Sequence, residues 1–161
     1  METVYIETSV VSYLVARPPA DTLAHQWHVW TKDWWRLRRP GFECVISAEV
    51  LRESAAGDPK ASRQRLEVLS TLTELRRTPA VDKLTEVFLS AGPLPTQAKA
   101  DALHLAVATV WRVDYLLTWN LKHLANAAIL SRLQPVAERY GHRMPHVCTP
   151  LQLMGTIEYE D

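Results

Sequence analysis

Hydrophobic and polar positions along this chain switch repeatedly between a two-residue and a helical period, outlining strands that alternate with helices. Thr3–Ile6 is a β-branched and aromatic run that reads as a strand. Thr8-Ser-Val-Val-Ser-Tyr-Leu14 then takes helical spacing, and Arg17-Pro-Pro19 stops it. A longer amphipathic helix follows, with Asp21 as its expected cap and Trp27, Trp30, Trp34 and Trp35 as an apolar stripe. Phe42–Ile46 predicts a second strand, and Ser47 the N-cap of a short helix bearing Glu49, Val50, Leu51 and Glu53. Gly57-Asp58-Pro59 breaks that helix and starts another, expected to run to Leu72. Glu74–Arg77 reads as an edge strand, Val81–Ala91 as a helix and Gly92-Pro-Leu-Pro95 as a break. A nearly all-apolar helix extends from there to Arg112, and Asp114–Thr118 is the next strand. Helical segments continue to Tyr140, Gly141 ends them, and Pro145–Cys148 gives a last strand before a terminal helix from Pro150.

Strands separated by helices predict a mostly parallel α/β sheet. In such sheets the binding crevice lies beyond the carboxyl ends of the strands. Glu7 directly follows the first strand, Ser47–Glu53 the second, and Asn120 the strand that begins at Asp114. Polar groups far apart in sequence are therefore expected on one rim.

Composition adds limits. The length of 161 residues fits one domain, 1–161, and 47% hydrophobic with 22% charged residues is globular rather than disordered. Lysine plus arginine equals aspartate plus glutamate at 18 each, which argues against nonspecific duplex binding through overall charge. Lys32, Arg36, Arg38 and Arg39 form a local basic cluster, and the tryptophan stripe beside them reads as core or interface. Cys44 and Cys148 lie in strand-like contexts without metal-type spacing, the pattern of buried free thiols in a reducing compartment. The first residues lack a basic then apolar leader, and no stretch approaches the ~18 apolar residues of a membrane span. A cytoplasmic, membrane-free protein is expected, with Glu158-Tyr-Glu-Asp161 as a solvated acidic end.

The candidate chemistry centres on Lys99-Ala-Asp-Ala-Leu-His-Leu-Ala-Val-Ala108. Asp101 there is either a first-turn acid favoured by the helix dipole or a carboxylate held by a partner, a hydrogen-bond network or a metal. Glu7, Glu53 and Asn120 complete a candidate set. Clustered carboxylates raise one another's pKa unless a cation offsets them, and hard oxygen donors suit Mg²⁺, with Mn²⁺ as substitute. Scattered histidines and unpaired cysteines argue against zinc. His104, on its apolar helix, reads as a satisfied core residue. Glu49 competes with Glu53, four residues away on the same helical face, but its first-turn position is explained by the dipole. Thr118 is a hydroxyl donor beside the acids or a strand cap. No phosphate-cradling glycine motif or nucleophile elbow is present, which disfavours an NTPase, a dehydrogenase or an α/β-hydrolase. A carboxylate-held Mg²⁺ supports phosphodiester hydrolysis.

Four pieces occur in order over nearly the whole chain: Ile6-Glu-Thr-Ser9, Ser47-Ala-Glu-Val-Leu-Arg-Glu53, Ala100-Asp-Ala-Leu-His-Leu-Ala106 and Leu116-Leu-Thr-Trp-Asn120. The ordered set resembles PIN-domain proteins, and with its length it resembles the VapC-type toxins of bacteria and archaea. The resemblance implies a single PIN domain, a three-layer α/β/α fold around a central, mostly parallel sheet. It implies a Mg²⁺-dependent endoribonuclease acting on single-stranded or loop RNA, a homodimer, and a small antitoxin protein as partner. Glu7, Glu53 and Asp101 fall on the family's metal-binding acids, and Asn120 on its fourth site position, usually an aspartate. Two departures stand out. Glu7 replaces the commoner aspartate, and Asn120 supplies a carbonyl oxygen but no charge, so a second metal should bind more weakly. Asn120 and the neutral net charge motivate an alternative, a catalytically weakened PIN fold that binds RNA or protein. A small-molecule phosphohydrolase rests on the carboxylates alone.

Overall fold

The computed structural model describes residues 1–156. Its centre is a five-stranded parallel sheet of β1 (Thr3–Ile6), β2 (Glu43–Ser47), β3 (Thr73–Leu75), β4 (Tyr115–Leu117) and β5 (His146–Cys148), in the order β3-β2-β1-β4-β5. β1 is the middle strand, and Val4, Tyr5 and Ile6 are fully buried, as a strand covered on both faces requires. Its register pairs Tyr5 with Val45 on one side and Leu116 on the other. Asp114 fixes the start of that register. Its Oδ2 accepts from the Thr3 backbone N–H at 2.8 Å, and the Thr3 hydroxyl in turn accepts from the Asp114 backbone N–H at 3.0 Å.

Among the described residues seven α-helices make the crossovers: α1 (Thr8–Val15), α2 (Leu23–Leu37), α3 (Ala48–Ser54), α4 (Pro59–Leu69), α5 (Pro79–Ser90), α6 (Lys99–Val110) and α7 (Ala127–Arg139). α1 packs with α2, α3 and α4, whereas α5 packs with α6 and α7, giving the two helical layers of a PIN-like α/β/α fold. Ala102 through Thr109 of α6 are all buried, which explains a helix apolar on every side. Among the described residues no helix is long and apolar enough to cross a membrane.

The strands and helices match the sequence pattern closely, with local corrections. Thr22, not Asp21, caps α2: its side chain accepts from the His25 N–H at 3.2 Å, while Asp21 lies outside the turn. The Asp58-Pro59 start of α4 holds, with Asp58 accepting from the Ala61 N–H at 2.9 Å, but the helix ends at Leu69. The Leu72 N–H instead bonds the Leu69 carbonyl at 3.0 Å, and the chain turns into β3. No helix forms from Pro150 to Thr156; Thr149 and Gln152 exchange side-chain-to-backbone bonds and hold this segment as a turn. The acidic Glu158–Asp161 segment lies outside the described residues. Cys44 and Cys148 are both free; Cys44 is buried and Cys148 half-buried, and burial pushes each thiol up to about 11.

Candidate active site

Glu7 leaves the carboxyl end of β1, where its N–H bonds the Leu117 carbonyl at 3.1 Å and ties the ends of β1 and β4 together. It is also the N-cap of α1. Its Oε2 accepts from the Ser9 N–H at 2.9 Å, from the Ser9 hydroxyl and from the Thr118 hydroxyl at 2.9 Å. A carboxylate with only 6% exposure is thus offset by three donors and a helix amino end. Thr118 Oγ1 accepts from the Asn120 N–H at 2.9 Å, and Ser9 Oγ from the Trp119 N–H at 2.8 Å. The Glu-Thr-Ser turn after β1 and the Thr-Trp-Asn turn after β4 are therefore one hydrogen-bonded unit. Thr118 is a hydroxyl donor to an acid, the first of its two readings.

Glu53 reaches the same region from α3. Its Oε1 accepts from the Thr8 hydroxyl at 2.7 Å and lies 2.6 Å from His104 Nε2. Glu49 turns away and pairs with Arg52, an exposed arginine, so only Glu53 of the two joins the cluster. Asp101, in the first turn of α6, accepts from the Asn120 side-chain amide at 3.0 Å, and its other oxygen lies 3.1 Å from His123 Nδ1. The His123 N–H in turn donates to Asn120 Oδ1 at 3.0 Å. Asp101 is therefore a networked carboxylate rather than merely a first-turn acid.

His104 contacts Glu53 directly and lies within the electrostatic reach of Glu7 and Asp101. It is fully buried, and its burial alone would push the imidazole pKa down; the hydrogen bond to Glu53 and the charges of Glu7, Glu53 and Asp101 raise it instead. Burial likewise pushes Glu53 up, but the bonds from His104 and Thr8 and the His104 charge hold it below the ordinary carboxylate range. Both shifts have one geometric cause, the 2.6 Å approach of His104 Nε2 to Glu53 Oε1. His104 is the buried, satisfied side chain its helix position suggests, yet what satisfies it is a candidate acid.

Of the tryptophan stripe only Trp34 is buried; Trp27, Trp30 and Trp35 are half-buried against the core. Trp27 stacks on Trp119 with centroids 4.7 Å apart and planes 10° apart. Trp119 Nε1 donates to Thr31 Oγ1 at 2.7 Å, so α2 pins the turn that carries Asn120. The basic cluster at the end of α2 takes no part in these bonds; Arg39 stacks over Trp35 at 4.8 Å.

The donor set consists of hard oxygens. Glu7 Oε1 and Glu53 Oε2 take no hydrogen bond among the described residues, leaving each glutamate one uncommitted oxygen. No group of three or more His, Cys, Asp or Glu among the described residues stands ready-made around a metal position. The two uncommitted glutamate oxygens are the kind of donor an ion of the Mg²⁺ type would take, since it keeps several waters and uses one or two carboxylates. His123, Tyr5, Thr8 and Ser9 are site residues that residue pattern alone left without a role. The His123 signal is its three-residue spacing from Asn120, which a turn brings onto one side; Thr8 and Ser9 lie inside the acid-Thr-Ser motif itself.

The fold is shared with two solved structures. VapBC2 from Rickettsia felis, bound to a DNA fragment from its promoter, superposes over 91% of this chain and 98% of its own, with a TM-score of 0.59 at 15% identity. VapC20 from Mycobacterium tuberculosis, described as a sarcin–ricin loop cleaving toxin, covers 74% of this chain and 91% of its own, with a TM-score of 0.55 at 17% identity. No family model and no curated protein sequence matches the chain.

Proposed function

We propose, from the fold shared with these structures, that this chain is a Mg²⁺-dependent endoribonuclease that hydrolyses phosphodiester bonds in single-stranded or loop RNA. The observation that carries the reading is the hydrogen-bond network that joins Glu7, Glu53 and Asp101, from three separate elements, through Thr8, Thr118 and Asn120. Glu7 and Glu53 would hold the ion through their uncommitted oxygens, with Asp101 acting directly or through a water. When bound, the ion supplies water activation and charge stabilisation of the leaving oxygen. The protein's part is positional. Thr118 and Ser9 fix one oxygen of Glu7, Thr8 and His104 fix one of Glu53, and Asn120 presents its amide to Asp101. Partners of this reading are an RNA substrate, a second copy of the chain and a small antitoxin protein, in the cytoplasm.

The test compares wild type with Asp101→Ala on single-stranded and stem–loop RNA, in Mg²⁺, in Mn²⁺ and in EDTA. Cleavage in either metal, lost in EDTA and in the variant, is expected; an Asp101→Ala protein as fast as wild type refutes the site. One observation favours a second reading, a catalytically weakened binding module: both Asp101 oxygens are already engaged, by Asn120 and His123. Tight RNA or partner binding without turnover, under conditions where a control nuclease cuts, would decide for it.

A further inference from the structure

A chain of three hydrogen bonds, the first two buried, links β1, the junction of β2 with α3, and α6, and ends on Glu53. Ser47, at the start of α3, has its Oγ 2.7 Å from the Tyr5 hydroxyl. Tyr5, two residues before Glu7 on β1, has that hydroxyl 2.6 Å from His104 Nδ1. His104, one turn after Asp101 on α6, closes on Glu53 Oε1 at 2.6 Å. Ser47 occupies the N-cap position of α3, yet its side chain makes no capping bond and is turned to Tyr5 instead. A usual capping contact is thereby given up to complete the chain. Tyr5 and His104 have no solvent exposure, so neither can exchange a lost partner for water.

We infer that His104 is a positioning residue for the proposed metal site: held by Tyr5 and Ser47, it locks Glu53 so that Oε1 is committed to the protein and Oε2 alone would be left for an ion. The geometry supports this directly. A ring nitrogen and the Thr8 hydroxyl converge on one carboxylate oxygen, which fixes the remaining rotation of the Glu53 side chain. Tyr5 determines the ring's orientation by holding its other nitrogen, the arrangement by which outer-shell partners orient ligands in metal sites. Nε2–H donates to the Glu53 carboxylate and Nδ1 pairs with the Tyr5 hydroxyl. Each member then has a partner.

This inference rests on the nuclease reading, and the experiment separates the two. Wild type, His104→Leu, His104→Gln and Tyr5→Phe are compared in three assays, with folding checked by circular dichroism. In EDTA, ¹⁵N-edited NMR of wild type should show a downfield, slowly exchanging His104 Nε2–H resonance that shifts in Glu53→Gln. Mn²⁺ titration should show about 10–100-fold weaker binding in His104→Leu, the range typical of outer-shell partners. RNA cleavage in that variant should lose kcat with KM unchanged. His104→Gln, whose amide still donates to Glu53, should recover most of both losses, which a purely structural role would not produce. Should His104→Leu fail to fold, Tyr5→Phe carries the test, with a smaller loss in the same direction. Wild-type Mn²⁺ affinity and kcat in folded His104→Leu or Tyr5→Phe, or no protected Nε2–H in wild type, overturns the inference. A protected resonance in a wild type that neither binds Mn²⁺ nor cuts RNA overturns the nuclease reading, and with it the metal-directed role, while upholding the bond.

Discussion

Replacing Thr31 by valine isolates the tie between α2 and the turn that holds Asn120. Thr31 is fully buried; its hydroxyl accepts from Trp119 Nε1 at 2.7 Å and donates to the Trp27 carbonyl at 2.6 Å. Valine keeps the shape and removes the acceptor. The Trp27 carbonyl retains its helical partner, so the deficit falls on the indole N–H of Trp119, a side chain only 5% exposed. Leaving such a donor unpaired costs about 1–3 kcal/mol. For a chain of this length each kcal/mol lowers Tm by roughly 2–4 °C. Trp119→Phe also destabilises, through lost burial, but leaves no donor behind. The double variant therefore escapes the penalty that Thr31→Val alone incurs, and the cycle should be non-additive by about 1–2 kcal/mol. Urea denaturation of the four proteins, followed by fluorescence and circular dichroism, measures the coupling. Additivity within about 0.3 kcal/mol would refute the proposed tie.

Further outcomes follow from the acids. Asn120→Asp removes the amide donor to Asp101, 3.0 Å away, and sets two carboxylates side by side. It should lower Tm in EDTA and gain more Tm than wild type on adding Mn²⁺; equal gains would argue against Asn120 belonging to the proposed metal site. In EDTA, the Glu53–His104 pair gives stability a defined window. Glu53 is held below its ordinary 4.5, so its share is present above that pH and lost as pH falls through the lowered value. His104 is held above its ordinary 6.5, so its share is full below that pH and lost as pH rises through the raised value. Stability over pH 4–9 should thus favour wild type over His104→Gln most between 4.5 and 6.5, and superimposable profiles would refute the ion pair.

The alternation of elements, the parallel sheet and the rim on which the acids lie are legible in the order of residues. Those features depend on local propensity and on the rule that α/β crossovers place loops at strand ends. The choice of Glu53 over Glu49 was also within reach, through its spacing against Val50-Leu51 in the motif this chain resembles; helix position alone would have discounted Asp101, also a first-turn acid. Local competition hid the finer points. Asp21 and Thr22 are both good caps, and only the turn geometry selects Thr22. Ser47 looks like a cap, but a buried tyrosine from another strand competes for its hydroxyl and wins. His104 illustrates the same limit from the other side. Burial on an apolar helix follows from its neighbours in sequence, whereas its bonds to Tyr5 and Glu53 join residues 99 and 51 positions away. Sequence fixes which side chains are buried, because periodicity is a local property. Which buried polar groups satisfy one another is decided by the tertiary structure, since a desolvated donor must take whatever acceptor the packed elements bring within reach.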